Sequence, residues 1–294
     1  MKILLTGKNG QVGYELERSL QGLGQVIAPD RQQFDLANLD QVREFVRELA
    51  PDIIINPAAY TAVDKAESEP ELALRVNAEA PGVMAEEAAR LGSVLIHFST
   101  DYVFDGSKQG AYLEIDDTSP VSVYGKTKLA GEQAIAASDC AHLILRTSWV
   151  YGMRGKNFLL TMLRLAAERD NLRVVADQIG APTWCRTLAE ITAHVVAQAA
   201  GQKSSALQMQ DWWRECSGIY HTVAQGTSSW HGFTEAILAQ AGLSERCSVT
   251  PITTDQYPTP ARRPANSVLS CAKFTAQFCG LPQWDAALAL CLRA

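Results

Sequence analysis

No apolar run in this chain is long enough to span a bilayer, and Met1-Lys2-Ile3-Leu4-Leu5-Thr6-Gly7 meets a glycine too soon to read as a signal peptide. Positive charge is not in excess either: 26 Lys and Arg face 32 Asp and Glu, a formal net charge of −6. That balance excludes a general affinity for nucleic acid or for an anionic membrane, so any anionic ligand must be held by a local site. The seven cysteines (Cys140, Cys185, Cys216, Cys247, Cys271, Cys279, Cys291) include no C-x-x-C, and the last three have no histidine or acidic partner at metal-ligand spacing. They are expected to be reduced, mostly buried thiols in a reducing compartment. Internal repeats and low-complexity tracts are missing too. What remains is a cytoplasmic globular chain, 47% hydrophobic and 20% charged over 294 residues. That is enough for one large α/β domain or two apposed ones.

Short apolar runs at residues 3–6, 25–28, 52–56, 94–99 and 142–146 read as buried strands. Between them, 12–20, 39–49, 72–91 and 124–137 carry apolar residues at helical spacing. Such alternation predicts right-handed βαβ units, hence a doubly wound parallel sheet covered by helices on both faces. After about residue 150 the pattern loosens, with helices expected at 158–168 and 188–200. The stretch 201–218 is polar apart from Trp212-Trp213 and is expected to be an excursion rather than a core element. Pro251, Pro258, Pro260 and Pro264 make the C-terminal part loop-rich. The expected division is a nucleotide-binding domain over 1–150 and a smaller C-terminal substrate-binding lobe over 151–294, partly interleaved with it.

Gly7-Lys8-Asn9-Gly10-Gln11-Val12-Gly13 stands between the first strand and the first helix. Glycines at 7, 10 and 13 let the chain turn sharply, bring backbone close to a pyrophosphate and pack helix on strand. The helix N-terminus then offers unpaired N–H groups to the phosphates. Asp30 follows the second strand, where an acidic side chain can bind the adenosine ribose hydroxyls; its other reading is a turn residue after Pro29. Arg31 beside it suits a 2′-phosphate, so both NADH and NADPH stay open. Asp35 reads equally as an adenine contact or as a cap for the helix beginning near Leu39.

Tyr124-Gly125-Lys126-Thr127-Lys128 opens a helix after Ser119-Pro120, so Tyr124 and Lys128 share one face. A lysine ammonium beside a phenol favours the phenolate and makes the tyrosine a usable proton donor or acceptor near neutrality. A third polar group is expected where the apolar run 94–98 leaves the sheet, at Ser99 or Thr100. Ligands of parallel sheets lie beyond the carboxyl ends of the strands, and a hydroxyl there can steady a developing alkoxide.

These residues resemble the extended short-chain dehydrogenase/reductases and, within them, the dTDP-4-dehydrorhamnose reductase family. The resemblance rests on Gly7 to Gly13, on Asn56 to Glu67 (Asn-Pro-Ala-Ala-Tyr-Thr-Ala-Val-Asp-Lys-Ala-Glu), and on Ser99 to Phe104. It continues through Tyr124 to Glu132, Arg146 to Gly152 (Arg-Thr-Ser-Trp-Val-Tyr-Gly), Asp177 to Thr183 and Tyr257 to Pro264. It implies a Rossmann-type fold and reduction, by NADPH or NADH, of the C4 ketone of dTDP-4-dehydro-β-L-rhamnose to dTDP-β-L-rhamnose. That would be the last step of dTDP-L-rhamnose synthesis for cell-surface polysaccharide. Thr100, Tyr124 and Lys128 are the implied catalytic residues, which favours Thr100 over Ser99. Cofactor contacts are implied at Gly10, Gln11, Val12, Asp30, Asp35, Leu36, Ala59, Tyr60 and Thr61. Thr100, Asp101, Trp149 and Arg263 would meet the dTDP-linked 4-keto-6-deoxy sugar. An indole at Trp149 can pack on a sugar ring or simply fill the core. Arg263 can hold a diphosphate or lie idle on the surface.

Pro57 departs from the family pattern, where alanine is usual, and 201–218 is longer than the family leads one to expect. Some members bind Mg²⁺ at a dimer interface; Glu15 is the single candidate ligand here, so the metal and the choice between monomer and homodimer stay open. Two rival readings are a sugar-nucleotide epimerase or dehydratase of the same fold and a non-catalytic regulatory subunit. The first needs a further acid/base pair near the tyrosine, and the second is at odds with an intact Thr100, Tyr124 and Lys128.

Overall fold

A computed structural model describes residues 1–201 and 206–293. The first half runs β1 (Lys2–Leu5), α1 (Gln11–Ser19), β2 (Gln25–Ile27), α2 (Leu39–Leu49), β3 (Ile53–Asn56), α3 (Val63–Ala66) and α4 (Pro70–Leu74). A π-helical turn at Arg75–Glu79 leads into α5 (Ala80–Leu91), β4 (Val94–Thr100), α6 (Val123–Ala136) and β5 (Ala141–Thr147). The second half holds β6 (Val150–Tyr151), α7 (Phe158–Glu168), β7 (Asn171–Val175), β8 (Ile179–Gly180), β9 (Thr183–Trp184) and α8 (Cys185–Gly201). It ends with α9 (Ala206–Glu215), β10 (Gly218–His221), β11 (Ser228–Ser229), α10 (Trp230–Gln240), β12 (Ser248–Ile252), α11 (Ala272–Gln277) and α12 (Trp284–Cys291).

Six strands form one parallel sheet in the order β10-β5-β4-β3-β1-β2. Alternate residues feed opposite cores: Ile3, Leu5, Ile53 and Ile55 face one side, Leu4 and Ile54 the other. With both faces buried, the inner strands are apolar at most positions, which is why they read as Ile/Leu/Val runs. Helices α1, α8 and α9 contribute to the first core, and α2, α5 and α6 to the second. Strand order reverses between β1 and β3, which opens a crevice at their carboxyl ends.

Two sequence expectations need correction. The stretch 201–218 is not an excursion. Residues 202–205 lie outside the described residues, but 206–215 form α9, and Trp213, only 1% exposed, belongs to the core on the α8 side of the sheet. Its polar average hid one apolar stripe, with Met209 and Trp212 packed beside Trp213. Strand β10 follows and pairs with β5, so the chain returns to the central sheet well past residue 150. The second correction is that the helix expected over 72–91 is interrupted by the π turn. Elsewhere a separate core gathers Tyr151, Trp184, Phe233 and Leu288 around α7, α10 and α12. All seven cysteines are free. Among the described residues no helix is long and apolar enough to cross a membrane.

Candidate active site

Strand β1 delivers the chain into Gly7, whose φ of +63° suits glycine, and Gly10 caps α1 in extended conformation. A Cβ at Gly13 would lie 2.0 Å from the Gly7 carbonyl oxygen, so only glycine lets the helix settle onto the loop. The loop separates two adjoining cavities. One, of about 760 Å³, is lined by Gly7, Asp30, Arg31, Asp35, Leu36, Ala59 and Tyr60. The other, of about 680 Å³, is lined by Gly10, Gln11, Val12, Gly13, Thr61, Thr100, Asp101, Tyr124, Lys128 and Trp149. A cradle closed to any Cβ, at a helix N-terminus and at the strand-order switch, fits a dinucleotide.

In the first cavity, where the adenosine was expected, the acidic residues serve the backbone. Asp30 Oδ1 accepts from the Gln32 and Gln33 N–H groups at 2.9 and 3.1 Å, so it holds the turn, and the residue also lines the first cavity. Asp35 is not the helix cap: Asn38 caps α2 by accepting from Gln41 N–H, while Asp35 accepts from Ala37 N–H. Arg31 lies 3.7 Å from Asp35 and is largely exposed.

At the other end, Ser122 caps α6 by accepting from Gly125 N–H, and the helix presents Tyr124, Lys128 and Glu132 at successive i,i+4 positions. Thr100 ends β4, and its hydroxyl donates to Asp101 Oδ1 at 2.9 Å. The expected effect of Lys128 on Tyr124 is not what this structure shows. Burial pushes the Tyr124 phenol up to about 12; a hydrogen bond involving Thr100 opposes that rise and Asp101 adds to it. Lys128 is itself pushed down to about 7 by burial, and its Nζ is turned to β4, donating to the Phe98 carbonyl at 2.7 Å. Burial raises the Asp101 carboxyl to about 6 against the pull of Ser267 and Thr100.

Trp149 lines the same cavity as Tyr124 and Lys128. Its φ of +48° is a strained value for a bulky residue, and its indole stacks on Trp230 with ring centroids 3.6 Å apart. It is half-buried, between the two roles expected of it. Arg263 does not lie idle on the surface: it donates to both Asp64 carboxylate oxygens, at 3.1 and 2.9 Å. It lines a third cavity, of about 520 Å³, together with Trp230. Asp64 sits within the Ala-Val-Asp-Lys-Ala-Glu run, so this ion pair ties the 257–264 loop to the first half of the chain.

Residues 1–294 match the RmlD substrate binding domain family. The chain belongs to that family. It is similar to the dTDP-4-dehydrorhamnose reductase of Burkholderia thailandensis, with 48% identity over 300 residues covering 100% of this chain and 98% of the relative. Among solved structures it is similar to a dTDP-4-dehydrorhamnose reductase from Clostridium acetobutylicum, with a TM-score of 0.89, 37% identity and coverage of 100% and 99%. A reductase of the same name from Bacillus anthracis, solved in complex with NADP, gives a TM-score of 0.90 at 34% identity, again with 100% and 99% coverage.

The expectation of a metal rests on Glu15 alone. Glu15 accepts from Arg186 Nε at 3.0 Å, so a guanidinium stands beside the one candidate ligand. No group of three metal-ligating side chains occurs among the described residues. Four residues that shape this site, Asn77, Glu132, Arg146 and Trp230, were given no role from the sequence. Asn77, buried in the π turn, accepts from Tyr60 N–H and donates to the Tyr60 carbonyl and the Thr127 hydroxyl, joining the cofactor loop to α6. Helix α6 meets that turn so closely that a Cβ at Gly131 would lie 2.1 Å from the Asn77 carbonyl oxygen. The buried Glu132 pairs with Arg146, and Trp230 stacks on Trp149. Only the charge pair had a visible signal, a glutamate and an arginine inside apolar stretches.

Proposed function

We infer that the protein is an NADPH- or NADH-dependent reductase that converts the C4 ketone of dTDP-4-dehydro-β-L-rhamnose to the alcohol of dTDP-β-L-rhamnose. The observation carrying this reading is the direct adjunction of the glycine-loop cleft to a cavity holding Thr100, Tyr124 and Lys128, in a chain of this family along its whole length. The nicotinamide supplies a hydride when bound. The chain's own work is to hold the ketone and protonate its oxygen. A phenol pushed up to about 12 stays protonated at neutral pH, so Tyr124 is poised as the donor that reduction requires. The Thr100 hydroxyl steadies the same oxygen, and Lys128 orients the cofactor ribose. Residues 1–150 carry most of the cofactor cleft. Trp149 and Arg263 stand toward the second lobe, where the remote nucleotide can contribute binding energy to positioning the ketone.

Among the described residues lining the catalytic cavity, Asp101 is the one carboxylate. A single carboxylate favours a reductase over an epimerase or dehydratase, which need a further acid/base pair. The test is to incubate the purified protein with NADPH and the dTDP-4-keto sugar, following cofactor oxidation and identifying the product by NMR. Stoichiometric oxidation with formation of the 4-hydroxy sugar is expected. A product still bearing a ketone, or no oxidation, overturns the assignment. Tyr124→Phe should retain NADPH binding and lose turnover by about 10²–10⁴-fold.

A further inference from the structure

Lys128 is 1% exposed, and beneath it lies His97, a histidine with no exposure, in the middle of an apolar strand. Lys128 Nζ is 2.9 Å from His97 Nε2, and the other ring nitrogen, Nδ1, is 3.0 Å from Asn56 Nδ2. The opposite side of that carboxamide meets the Thr6 hydroxyl at 2.6 Å, and Thr6 in turn accepts from Ala58 N–H at the cofactor loop. One continuous buried chain therefore runs from the proposed catalytic lysine across β4 and β3 to the end of β1.

The polarity of that chain is decided by counting protons. Burial and the neighbouring lysine hold His97 well below the ordinary imidazole value, so the ring carries one proton. With the amide nitrogen on Nδ1, that proton sits on Nε2 and points at Lys128. In its ammonium form, which prevails below about pH 7, Lys128 has three donors and no lone pair to receive it. A half-turn of the Asn56 carboxamide removes the conflict at Lys128: its oxygen then faces a protonated Nδ1, its NH₂ donates to Thr6 Oγ1 in place of the bond the hydroxyl had donated to Oδ1, and Nε2 is free to accept.

We propose that His97 is a positioning residue for the ketone reduction: its Nε2 accepts from the Lys128 ammonium while its Nδ1–H donates to the Asn56 carboxamide oxygen. His97 and the Phe98 carbonyl then occupy two of the three ammonium protons, which leaves one, in a fixed direction, for the cleft. This rests on Lys128 being catalytic, which Lys128→Met tests separately through loss of turnover.

The chain has five histidines, so ¹⁵N-histidine NMR of the intact protein can assign His97 by its loss in a His97→Gln variant. At pH 6, where Lys128 is an ammonium, the expected spectrum shows a proton on Nδ1 and a bare Nε2; a proton on Nε2 there overturns the proposal whether or not the protein turns over substrate. His97→Leu should lower kcat by about 10²-fold, the scale of a misplaced catalytic group, with KM for the sugar within about twofold. His97→Gln, which can offer a carbonyl oxygen to the ammonium, should recover most of that loss. Equal impairment of the Leu and Gln variants, or an unchanged kcat in His97→Leu, also overturns it. If the Leu variant fails to fold, the tautomer and the Gln variant still decide.

Discussion

Replacing Glu132 by alanine should destabilise the fold and disable the site together. The Glu132 and Arg146 side chains are each 2% exposed. Arg146 Nε donates to both carboxylate oxygens at 3.0 and 3.2 Å, and Nη2 donates to Oε2 at 2.6 Å. Ser99 adds a fourth bond, its hydroxyl donating to Oε1 at 2.5 Å. The cluster thus pins α6, which carries Tyr124 and Lys128, to β4 and β5. Removing one partner leaves a buried guanidinium with no counter-charge, and the cost expected for such a break is about 3–5 kcal/mol. Against a typical total of about 5–15 kcal/mol, that is a large fraction of stability. Urea unfolding followed by tryptophan fluorescence should show the midpoint falling by about 1 M or more, given slopes of about 1–3 kcal/mol/M. The double variant Glu132→Leu with Arg146→Met removes both charges and should recover most of the loss, because the desolvation penalty goes with them. A single variant within about 1 kcal/mol of the parent, or a double variant as weak as the single, would refute the reasoning.

Gly13→Ala should abolish NADPH binding in isothermal calorimetry, since its Cβ would lie 2.0 Å from the Gly7 carbonyl oxygen; retained affinity would show that the loop yields. Asp101→Asn tests the pH dependence of stability. A carboxyl raised from 3.8 to about 6 favours its protonated form in the fold, so its contribution is present below about pH 4 and lost as pH rises through 6. That is on the order of 3 kcal/mol across the window. The variant should therefore gain on the parent in urea midpoint between pH 4 and pH 7, and a constant difference would mean that Asp101 does not titrate there. Trp149→Ala should raise KM or lower kcat for the dTDP-sugar while leaving NADPH affinity nearly unchanged; an equal loss of cofactor affinity would assign the indole to the fold alone. Asp30→Ala should weaken NADH more than NADPH in steady-state kinetics, and equal losses would reduce Asp30 to the turn that it also holds.

Local pattern was enough for everything that depends on neighbours in sequence. Continuous Ile/Leu/Val runs declared strands buried on both faces. Glycines at 7, 10 and 13 declared a turn open to backbone approach, and Tyr124 with Lys128 declared one helix face. Each of these is a constraint written within a few residues of itself. Other features depended on partners far away in the chain. The polar average over 201–218 concealed Trp213, because burial of one side chain follows from the sheet beneath it and not from its neighbours. The π turn at Arg75–Glu79 has no local signal; its Asn77 reaches both the Tyr60 backbone and Thr127, partners far away in the chain. The direction of Lys128, toward His97 and Phe98, and the resulting pKa values of the site are likewise consequences of burial. Sequence by itself determined the fold class and the family, and it named the proposed reacting groups. Tertiary structure alone decided how those groups are held and charged, because desolvation and hydrogen-bond partnership are properties of packed surroundings and not of residue type.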